Sequence, residues 1–373
     1  MIPTTPSATI DHGERLNRVR AEMARHGVDY LLIGPSTDMV YMLGYPARQS
    51  ERLTLLMIGR EGKPHLVMPS FELARVQHLT GTLELNPWTE AEDPNRLVAS
   101  LVPGDGDGVT IAVGGQLYTY FLLRLQEVMP RARFVSGDLV MEPVRMRKSV
   151  AEVERLRAAG RAADAVWEEF ISLPMVGVSE KEMLAHLHRL LIEKGHDAIG
   201  GGIVGIGPNG ASPHHHVSDR RAATGDAVVV DFGGTRQDYR SDITRTFHVG
   251  PPTQEFRRVY EIVNEANQLA SQAARPGMRA EELDRVARDH IARAGYAEAF
   301  LHRLGHGIGL DGHEGPYLVR GSEVVLDEGM TFSIEPGIYL EGRFGVRIED
   351  IVVLTGRGAE RLNMSSHELM VVG

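Results

Sequence analysis

The 373-residue sequence contains no cysteine. Disulfide bonds, thiolate metal sites and a cysteine nucleophile are therefore excluded. Positive charge is outweighed by negative charge, and the formal net charge of −10 at pH 7 does not suggest a nucleic-acid partner. No apolar run approaches the ~20 residues of a membrane-spanning helix, and the N-terminus lacks the basic and then apolar pattern of a signal peptide. We therefore expect a cytoplasmic protein that binds neither nucleic acid nor membrane.

The sequence has 42% hydrophobic and 24% charged residues, a composition that is typical of a globular protein. Up to about residue 145, strands and helices alternate without a dense cluster of Asp, Glu and His, which predicts one α/β domain with no chemistry of its own. Within it, the pattern predicts a hairpin around Gly59–Gly62 and a helix over Phe71–His78. We predict an N-terminal domain over residues 1–145 and a second domain over residues 146–373.

The second domain shows a weak internal repeat. Two helical patterns, Val150–Leu173 and Ser179–Lys194, precede Gly-rich strands, and two more, Thr253–Ala274 and Ala280–Ala294, precede another set of strands. Both sets of strands carry acids and histidines. This repeat predicts two similar halves, each with two helices, whose strands form one central sheet with the helices outside.

One segment of this domain, Val228–Phe247, reads VVVDFGGTRQDYRSDITRTF. Its pattern predicts a β-hairpin that brings Asp231 and Asp242 towards each other. Two buried carboxylates side by side repel unless cations lie between them, so the segment indicates metal, with two ions as the simplest account. From this segment alone, a solvated turn rich in Asp and Gly explains the composition equally well.

Further candidate ligands lie in four other stretches of the second domain: Pro208–Arg220, His302–Leu318, Phe332–Tyr339 and Gly345–Ile351. Glu335 and Glu349 each stand in an apolar, strand-like context, and their convergence with a His-rich loop favours one site. Four carboxylates and one imidazole form a hard, oxygen-rich ligand set, which suits Mn²⁺ and, less selectively, Co²⁺ or Zn²⁺. An HExxH zinc helix is excluded because no Glu follows His302 and glycines flank His306.

Four sequence motifs resemble those of the pita-bread metallopeptidases: DFGGTRQDYRSDITRTF, HRLGHGIGLDGHE, SIEPGIY and GVRIED. Within that family they look most like the proline-specific branch, which comprises Xaa-Pro dipeptidase (prolidase) and Xaa-Pro aminopeptidase. The resemblance covers the chain from about residue 150 to its end, and the smaller N-terminal domain also fits that branch. It implies an α+β fold, in which a pita-bread catalytic domain has two αα-β halves around a curved antiparallel sheet. A smaller creatinase-like α/β domain would precede it.

The resemblance also implies a role for each matching residue. The implied metal ligands are Asp231, Asp242, His306, Glu335 and Glu349. The implied catalytic residues are His214, His302, His313 and Glu335, and the implied substrate-binding residues are His214, His302, His313, Tyr339 and Arg347. Because three histidines stand in a row at positions 214–216, the sequence leaves open which of His214, His215 and His216 acts.

The activity that this resemblance implies is hydrolysis of the peptide bond preceding proline, in small peptides with proline at the second position. Two divalent ions, with Mn²⁺ favoured, would support it. A dipeptidase is preferred because the N-terminal domain is compact, and the alternative is an aminopeptidase acting on longer peptides. Also open are a methionine aminopeptidase, a non-peptidase pita-bread hydrolase such as a creatinase-like enzyme, and a non-catalytic binding module. A homodimer is expected, because in the resembling family the N-terminal domain packs against the partner's catalytic domain.

Overall fold

The computed structural model describes residues 10–373, apart from the side chain of residue 105. The described chain divides into two compact units, Ile10–Arg145 and Met146–Gly373. No helix in residues 10–373 is long and apolar enough to span a membrane. The unit that begins at Met146 contains the acidic and histidine-rich segments identified in the sequence.

The first unit is built on a six-stranded mixed sheet with the strand order β4-β3-β2-β1-β5-β6. Its central strand β1 pairs antiparallel with β2 and parallel with β5. The hairpin predicted around Gly59–Gly62 is confirmed, because β2 and β3 pair antiparallel. The strands are β1 (Tyr30–Ile33), β2 (Leu55–Gly59), β3 (His65–Pro69), β4 (Glu84–Trp88), β5 (Thr110–Val113) and β6 (Arg133–Ser136).

Six α-helices accompany this sheet in the described part of the first unit. The helix predicted over Phe71–His78 is wrong in extent, because a single α-helical turn is flanked by 3-10 turns on both sides. The helices are α1 (His12–Arg25), α2 (Thr37–Leu43), α3 (Leu73–Val76), α4 (Pro94–Ser100), α5 (Thr119–Val128) and α6 (Asp138–Met146). The last of these ends at the boundary between the units.

Four longer helices of the second unit begin where side chains cap their first turn. Ser149 and Ser179 each accept a hydrogen bond from the backbone of a glutamate three residues later, whose side chain bonds back to the cap. Such reciprocal caps satisfy donors that the helix itself leaves unpaired. The helices are α7 (Val150–Phe170), α8 (Glu180–Glu193), α9 (Gln254–Ala273) and α10 (Ala280–Arg293). All four predicted helices are therefore confirmed, with ends that differ by at most a few residues.

The strands of the second unit form two five-stranded sheets and a separate hairpin of β14 and β15. One sheet has the order β18-β10-β8-β7, with β9 paired to β8, and the other has the order β12-β11-β13-β16-β17. The strands are β7 (Ala198–Ile206), β8 (Ala227–Arg236), β9 (Tyr239–Arg240), β10 (Ile243–Val249), β11 (Gly305–Gly307), β12 (Glu314–Leu318), β13 (Thr331–Ile334), β14 (Gly337–Leu340), β15 (Phe344–Arg347), β16 (Asp350–Thr355), β17 (Gly358–Arg361) and β18 (Val371–Val372).

The repeat predicted a single central sheet, whereas the hydrogen bonds between strands form two separate five-stranded sheets. An antiparallel bridge between Thr244 and Glu349 connects the strands of the two halves. The division into halves, each with a pair of helices, follows the prediction. Apolar residues of α7 and α8 pack against the first sheet, and those of α9 and α10 pack against the second.

The alternation of side chains along the strands determines which residues turn away from the helices. On β8, Val230 and Phe232 belong to the core formed with α7 and α8, so Asp231 between them lies on the other face of the strand. On β13, Phe332 and Ile334 likewise belong to the core formed with α9 and α10. The apolar side chains of these strands thus pack against the helices, and the opposite face of each strand is available for polar side chains.

Candidate metal centre

A cavity of about 460 Å³ in the second unit collects nearly all of the predicted site residues. Its lining residues are Pro213, His214, Asp231, Asp242, His302, Arg303, His306, His313, Val319, Glu335, Arg347 and Glu349. Tyr339 does not line the cavity, but its hydroxyl contacts two residues that do, His302 and Arg347, each at 2.8 Å. The structure therefore brings together residues from β8, β11 and β15 and from the loops around them.

The first two acids come from the predicted hairpin, which is confirmed by the antiparallel pairing of β8 and β10. Asp231 stands opposite Thr244 in this pairing, and Asp242 reaches the site from the residue pair between β9 and β10. Glu349 lies between β15 and β16 and is bridged to Thr244. Oxygen atoms of Asp231, Asp242 and Glu349 lie within 4.8 Å of one another.

His306 is held on β11 by a backbone that only glycine neighbours allow. A Cβ atom on Gly305 would lie 1.9 Å from the carbonyl oxygen of Ser333, and one on Gly307 would lie 2.0 Å from that of Gly315. The imidazole Nδ1 lies 3.1 Å from the carbonyl oxygen of Gly307. Because a carbonyl can only accept, Nδ1 carries the proton in the neutral ring, and Nε2 presents a lone pair.

That lone pair faces carboxylates. His306 Nε2 lies 3.3 Å from Glu335 Oε1 and 3.9 Å from Asp242 Oδ2. An acceptor nitrogen surrounded by acceptor oxygens is stable when a cation lies between them. Ligand atoms of His306, Glu335 and Glu349 also lie within 4.8 Å of one another. Glu349 belongs to this group and to the group of Asp231 and Asp242, so the residues fit two neighbouring divalent ions.

The electrostatics of the carboxylates agree with this fit. Burial, and after it repulsion from Asp231 and Glu335, raises the pKa of Asp242 well above its ordinary value. Burial, and then the charge of Asp242, does the same to the pKa of Glu349. Burial also raises the pKa of Glu335 to about 7. Bound cations favour the ionised form of each carboxylate and offset these effects.

Three histidines of the cavity, His302, His306 and His313, have pKa values below the ordinary value of 6.5, which favours their neutral form at physiological pH. Burial lowers the pKa of His306 to about 3 and that of His302 to about 4. Burial, and then the charge of Arg303, lowers the pKa of His313. Neutral imidazole is the form that binds a metal ion, and in this form each ring carries one N–H donor whose position depends on its partner.

Three hydrogen bonds orient the acids. Thr244 Oγ1 donates to Glu349 Oε2 at 2.6 Å, and Ser333 Oγ donates to Glu335 Oε1 at 3.0 Å. Arg347 Nη2 donates to Asp231 Oδ2 at 2.7 Å, and the Arg347 side chain is only 3% exposed. Partners of this kind fix ligand geometry and tune ligand basicity.

His302 is fixed by partners on both ring nitrogens. Its Nδ1 donates to the carbonyl oxygen of Arg303 at 2.7 Å. The hydroxyl of Tyr339 accepts from Arg347 and donates to His302 Nε2 at 2.8 Å. Tyr339 and the Arg303 carbonyl together fix the orientation of the His302 ring. The partner of His313 is different: Arg303 Nη2 donates to its Nδ1 at 3.2 Å, which leaves an N–H donor at Nε2.

The three consecutive histidines have different environments. His214 is exposed and lines the cavity. His215 Nε2 instead contacts Glu180 Oε2 at 2.8 Å, and His216 is exposed and is not among the lining residues. Among the described residues of this run, His214 is thus the one placed to contact a ligand in the cavity.

Sequence reasoning assigned no role to Arg303, Thr244 or Glu180. Arg303 could have been noticed from its place beside His302 in HRLGHG. Thr244 follows Asp242 at the spacing that puts it on the same side of an extended strand. Glu180 gave no signal, because an acid at the first position of a helix is ordinary.

The fold and the site together define a metallopeptidase. Residues 154–356 match the model of metallopeptidase family M24, and residues 15–147 match the creatinase/prolidase N-terminal domain. The chain therefore belongs to family M24, with divalent metal ions as its cofactor, and the predicted resemblance and fold class are confirmed.

Relatives extend over nearly the whole chain. A probable dipeptidase PepE of Mycobacterium tuberculosis is 40% identical over 365 residues, which cover 97% of this chain and 96% of that protein. An Xaa-Pro dipeptidase of Lactobacillus helveticus is 35% identical, covering 92% of this chain and 95% of that protein. The crystal structure of a prolidase from Thermococcus sibiricus superposes with a TM-score of 0.92 at 34% identity, covering 98% of this chain and 100% of that one.

Proposed function

We propose that this chain uses two divalent ions to hydrolyse the peptide bond preceding proline in Xaa-Pro dipeptides. The observation that carries the proposal is the cavity, which joins two carboxylate-rich groups sharing Glu349 to the histidines His214, His302 and His313. The names of relatives, an Xaa-Pro dipeptidase and a prolidase among them, support proline as the second residue of the substrate.

In this proposal the two ions would be held by Asp231, Asp242, His306, Glu335 and Glu349, of which Asp242 and Glu349 each belong to two groups of candidate ligands. The oxygen-rich ligand set favours Mn²⁺. Divalent ions held in this way polarise a carbonyl group and make water a nucleophile near neutral pH. Because hydrogen bonds from Arg347, Ser333 and Thr244 orient Asp231, Glu335 and Glu349, the protein holds these three ligands in place before substrate binds.

The protein groups that act on the substrate are histidines and Glu335. His313 presents an N–H at Nε2 because its Nδ1 accepts from Arg303. That donor can stabilise the negative charge that develops on the scissile carbonyl oxygen. Glu335, which lies 3.3 Å from His306 in the same cluster, would carry a proton towards the leaving proline nitrogen. His214 closes over the substrate from the loop that follows β7.

Proline makes a dedicated site necessary. Its ring fixes φ and removes the backbone N–H that ordinary peptidases bind. The cavity has apolar surface at Pro213 and Val319, against which a pyrrolidine ring can pack. The Xaa residue before the proline would lie on the other side of the scissile bond.

The test is to incubate Mn²⁺-loaded protein with Ala-Pro, Leu-Pro and Ala-Pro-Ala-Ala and to follow the products by mass spectrometry. Release of free proline from both dipeptides is expected. Exhaustive chelation should abolish it, and added Mn²⁺ should restore it. Full activity after chelation would contradict the metal requirement, as expected for a creatinase-like enzyme.

An Xaa-Pro aminopeptidase is the second candidate, since it performs the same chemistry on the same bond. The ratio of kcat/KM for Ala-Pro to that for Ala-Pro-Ala-Ala separates the two. A dipeptidase gives a ratio well above one. If the tetrapeptide is cleaved as well as the dipeptide or better, the aminopeptidase is correct.

A further inference from the structure

Two guanidinium groups line the cavity, those of Arg303 and Arg347, and they differ in how far the protein uses their donors. Arg347 Nη2 donates to Asp231 at 2.7 Å, its Nε donates to Thr244 at 3.0 Å, and its Nη1 donates to Tyr339 at 2.8 Å. The charge of Arg347 is thus paired with a carboxylate inside the protein. Arg347 is not free to meet an anionic group of a substrate.

Arg303 has no carboxylate within ion-pair distance in the part of the chain that the structure describes. Its side chain donates to His313 Nδ1 at 3.2 Å, and its guanidinium carbon lies 4.5 Å from the centre of the Tyr317 ring. The aromatic face holds the guanidinium plane by a cation–π contact. Because a guanidinium carries five N–H donors, Arg303 keeps most of them available to the cavity.

The position of Arg303 relative to the proposed metal ligands follows from two neighbouring imidazoles, whose planes are tilted by 38°. The ring of His313, which Arg303 contacts, lies 3.8 Å from that of His306, centre to centre. The guanidinium therefore lies one imidazole beyond a proposed metal ligand, on the same cavity wall. One residue of extended chain spans about 3.3–3.6 Å. A substrate whose scissile carbonyl lies at the carboxylates can thus direct the end of its next residue towards this wall.

We propose that Arg303 binds the free C-terminal carboxylate of the substrate and thereby selects dipeptides over longer peptides. This inference rests on the proposed peptidase function and adds the residue that determines substrate length. In a dipeptide, the residue after the scissile bond ends in a carboxylate, which the planar guanidinium can bind with two parallel hydrogen bonds. In a longer peptide the same position is a neutral amide, which leaves the positive charge of Arg303 unpaired.

The experiment compares two substrates that differ in that group alone, Ala-Pro and Ala-Pro-amide. The quantity measured is the ratio of their kcat/KM values, acid over amide. We expect this ratio to exceed ten in the wild-type enzyme and to fall about 10- to 100-fold in Arg303→Met, as for the loss of hydrogen bonds to a charged group. The loss on Ala-Pro should come mainly from a higher KM, because the carboxylate is bound in the ground state and the transition state alike.

Two further variants separate charge from geometry and from surface effects. Arg303→Lys keeps the charge without the planar fork, and its ratio should be intermediate. Arg357→Met, the same substitution at an exposed arginine in the turn between β16 and β17, should leave the ratio at the wild-type value. If Arg303 served only to orient His313, Arg303→Met would lower kcat/KM for Ala-Pro and for Ala-Pro-amide by the same factor. The ratio would then be unchanged, and this result would overturn the proposal.

The result for the wild-type enzyme distinguishes a failure of the proposed peptidase function from a failure of the proposed role of Arg303. Wild-type protein that is loaded with metal but cleaves no Xaa-Pro peptide would remove the proposed function and this inference with it. Wild-type protein that cleaves both Ala-Pro and Ala-Pro-amide with similar kcat/KM would retain the peptidase function and overturn the role of Arg303 alone.

Discussion

Asp242 belongs to two groups of candidate metal ligands among the described residues, one with Asp231 and Glu349 and one with His306 and His313. We predict that Asp242→Asn lowers kcat by several orders of magnitude, because the neutral amide of asparagine carries no negative charge with which to bind the cations. Steady-state kinetics and the metal content per chain check this. The matched control is Asp238→Asn, which makes the same change at an exposed position with φ of 70°, a conformation that Asn tolerates. A variant with two bound ions and full activity would contradict the role of Asp242.

Thr244 illustrates how a neutral residue supports the same site. Its hydroxyl is fully buried, donates to Glu349 at 2.6 Å and accepts from Arg347 Nε at 3.0 Å. We predict that Thr244→Val, which keeps the shape of the side chain, weakens metal binding about 10- to 100-fold. Titration with a fluorescent chelator gives the metal affinity. Thr244→Ser should restore most of it, and equal affinities in the Val and Ser variants would rule out the hydroxyl as the cause.

Among larger elements, the loop between β7 and β8 contacts the start of α8, and one buried carboxylate of that helix binds both ends of the segment around His214. The side chain of Glu180 is fully buried and accepts from the backbone N–H groups of Ile206 and Ser218 at 2.8 and 2.7 Å. His215 is a third partner, at 2.8 Å. This arrangement fixes both ends of the segment that carries His214 into the cavity.

We predict that Glu180→Gln loosens this loop. An amide cannot accept from all of these donors, so hydrogen exchange over residues 207–217 should accelerate about tenfold or more, and kcat/KM should fall about 10- to 100-fold through misplacement of His214. Metal content should stay at the wild-type value. Glu168→Gln, the same change at an exposed side chain of α7, is the control. In a His214→Ala background, Glu180→Gln should have little further effect on kcat/KM, and a full additional loss would contradict action through His214.

The same carboxylate predicts a pH dependence of stability. Burial raises the pKa of Glu180, but the hydrogen bonds from Ile206, Ser218, His215 and Asn209 outweigh it, so the pKa lies below its ordinary value of 4.5. The stability that Glu180 contributes is therefore present above pH 4.5 and is lost as pH falls through the lowered folded-state value. We expect Glu180→Gln to unfold at a lower temperature than wild type at pH 7, with a difference that narrows below pH 4.5. A difference independent of pH, measured by calorimetry, would contradict this account.

How far the sequence predicts these elements depends on whether the signal is local. The helices α7 to α10 follow from apolar periodicity and from capping residues such as Ser149 and Ser179, which act within one turn. The short strand β4 was not predicted, because its sequence, ELNPW, alternates weakly and contains a proline, and it forms by parallel pairing with β3. Parallel pairing depends on partners elsewhere in the chain, which no local window contains.

The same distinction holds within the site. The sequence motifs around Asp231 and His306 predict metal ligands. Another backbone segment passes so close to these positions that neighbouring residues such as Gly305 must be glycine. The contacts of Arg303 with His313 and of Glu180 with His215 join residues 10 and 35 positions apart. Their partners are defined only when the loops fold, so residue type and spacing could not assign them.

At the scale of the whole molecule, the three groups of described residues that could hold a metal ion all belong to the unit that begins at Met146. The unit Ile10–Arg145 contributes no such group in its described residues. It does expose large apolar side chains on and beside α5, with Tyr120 at 64% and Leu123 at 54% of their full accessible surface. Neighbouring exposed apolar side chains of this kind are common where protein chains associate.

We therefore predict that the protein is a homodimer, with the N-terminal unit in the contact. A closed twofold dimer is the commonest assembly of soluble proteins. Light scattering after size exclusion at micromolar concentration should give about 82 kDa, twice the 41.0 kDa of the chain. Mass action then requires the unfolding temperature to rise with protein concentration. Tyr120→Glu should shift the mass towards that of one chain if α5 lies in the contact, and wild-type protein that stays at 41.0 kDa up to micromolar concentration would contradict the dimer.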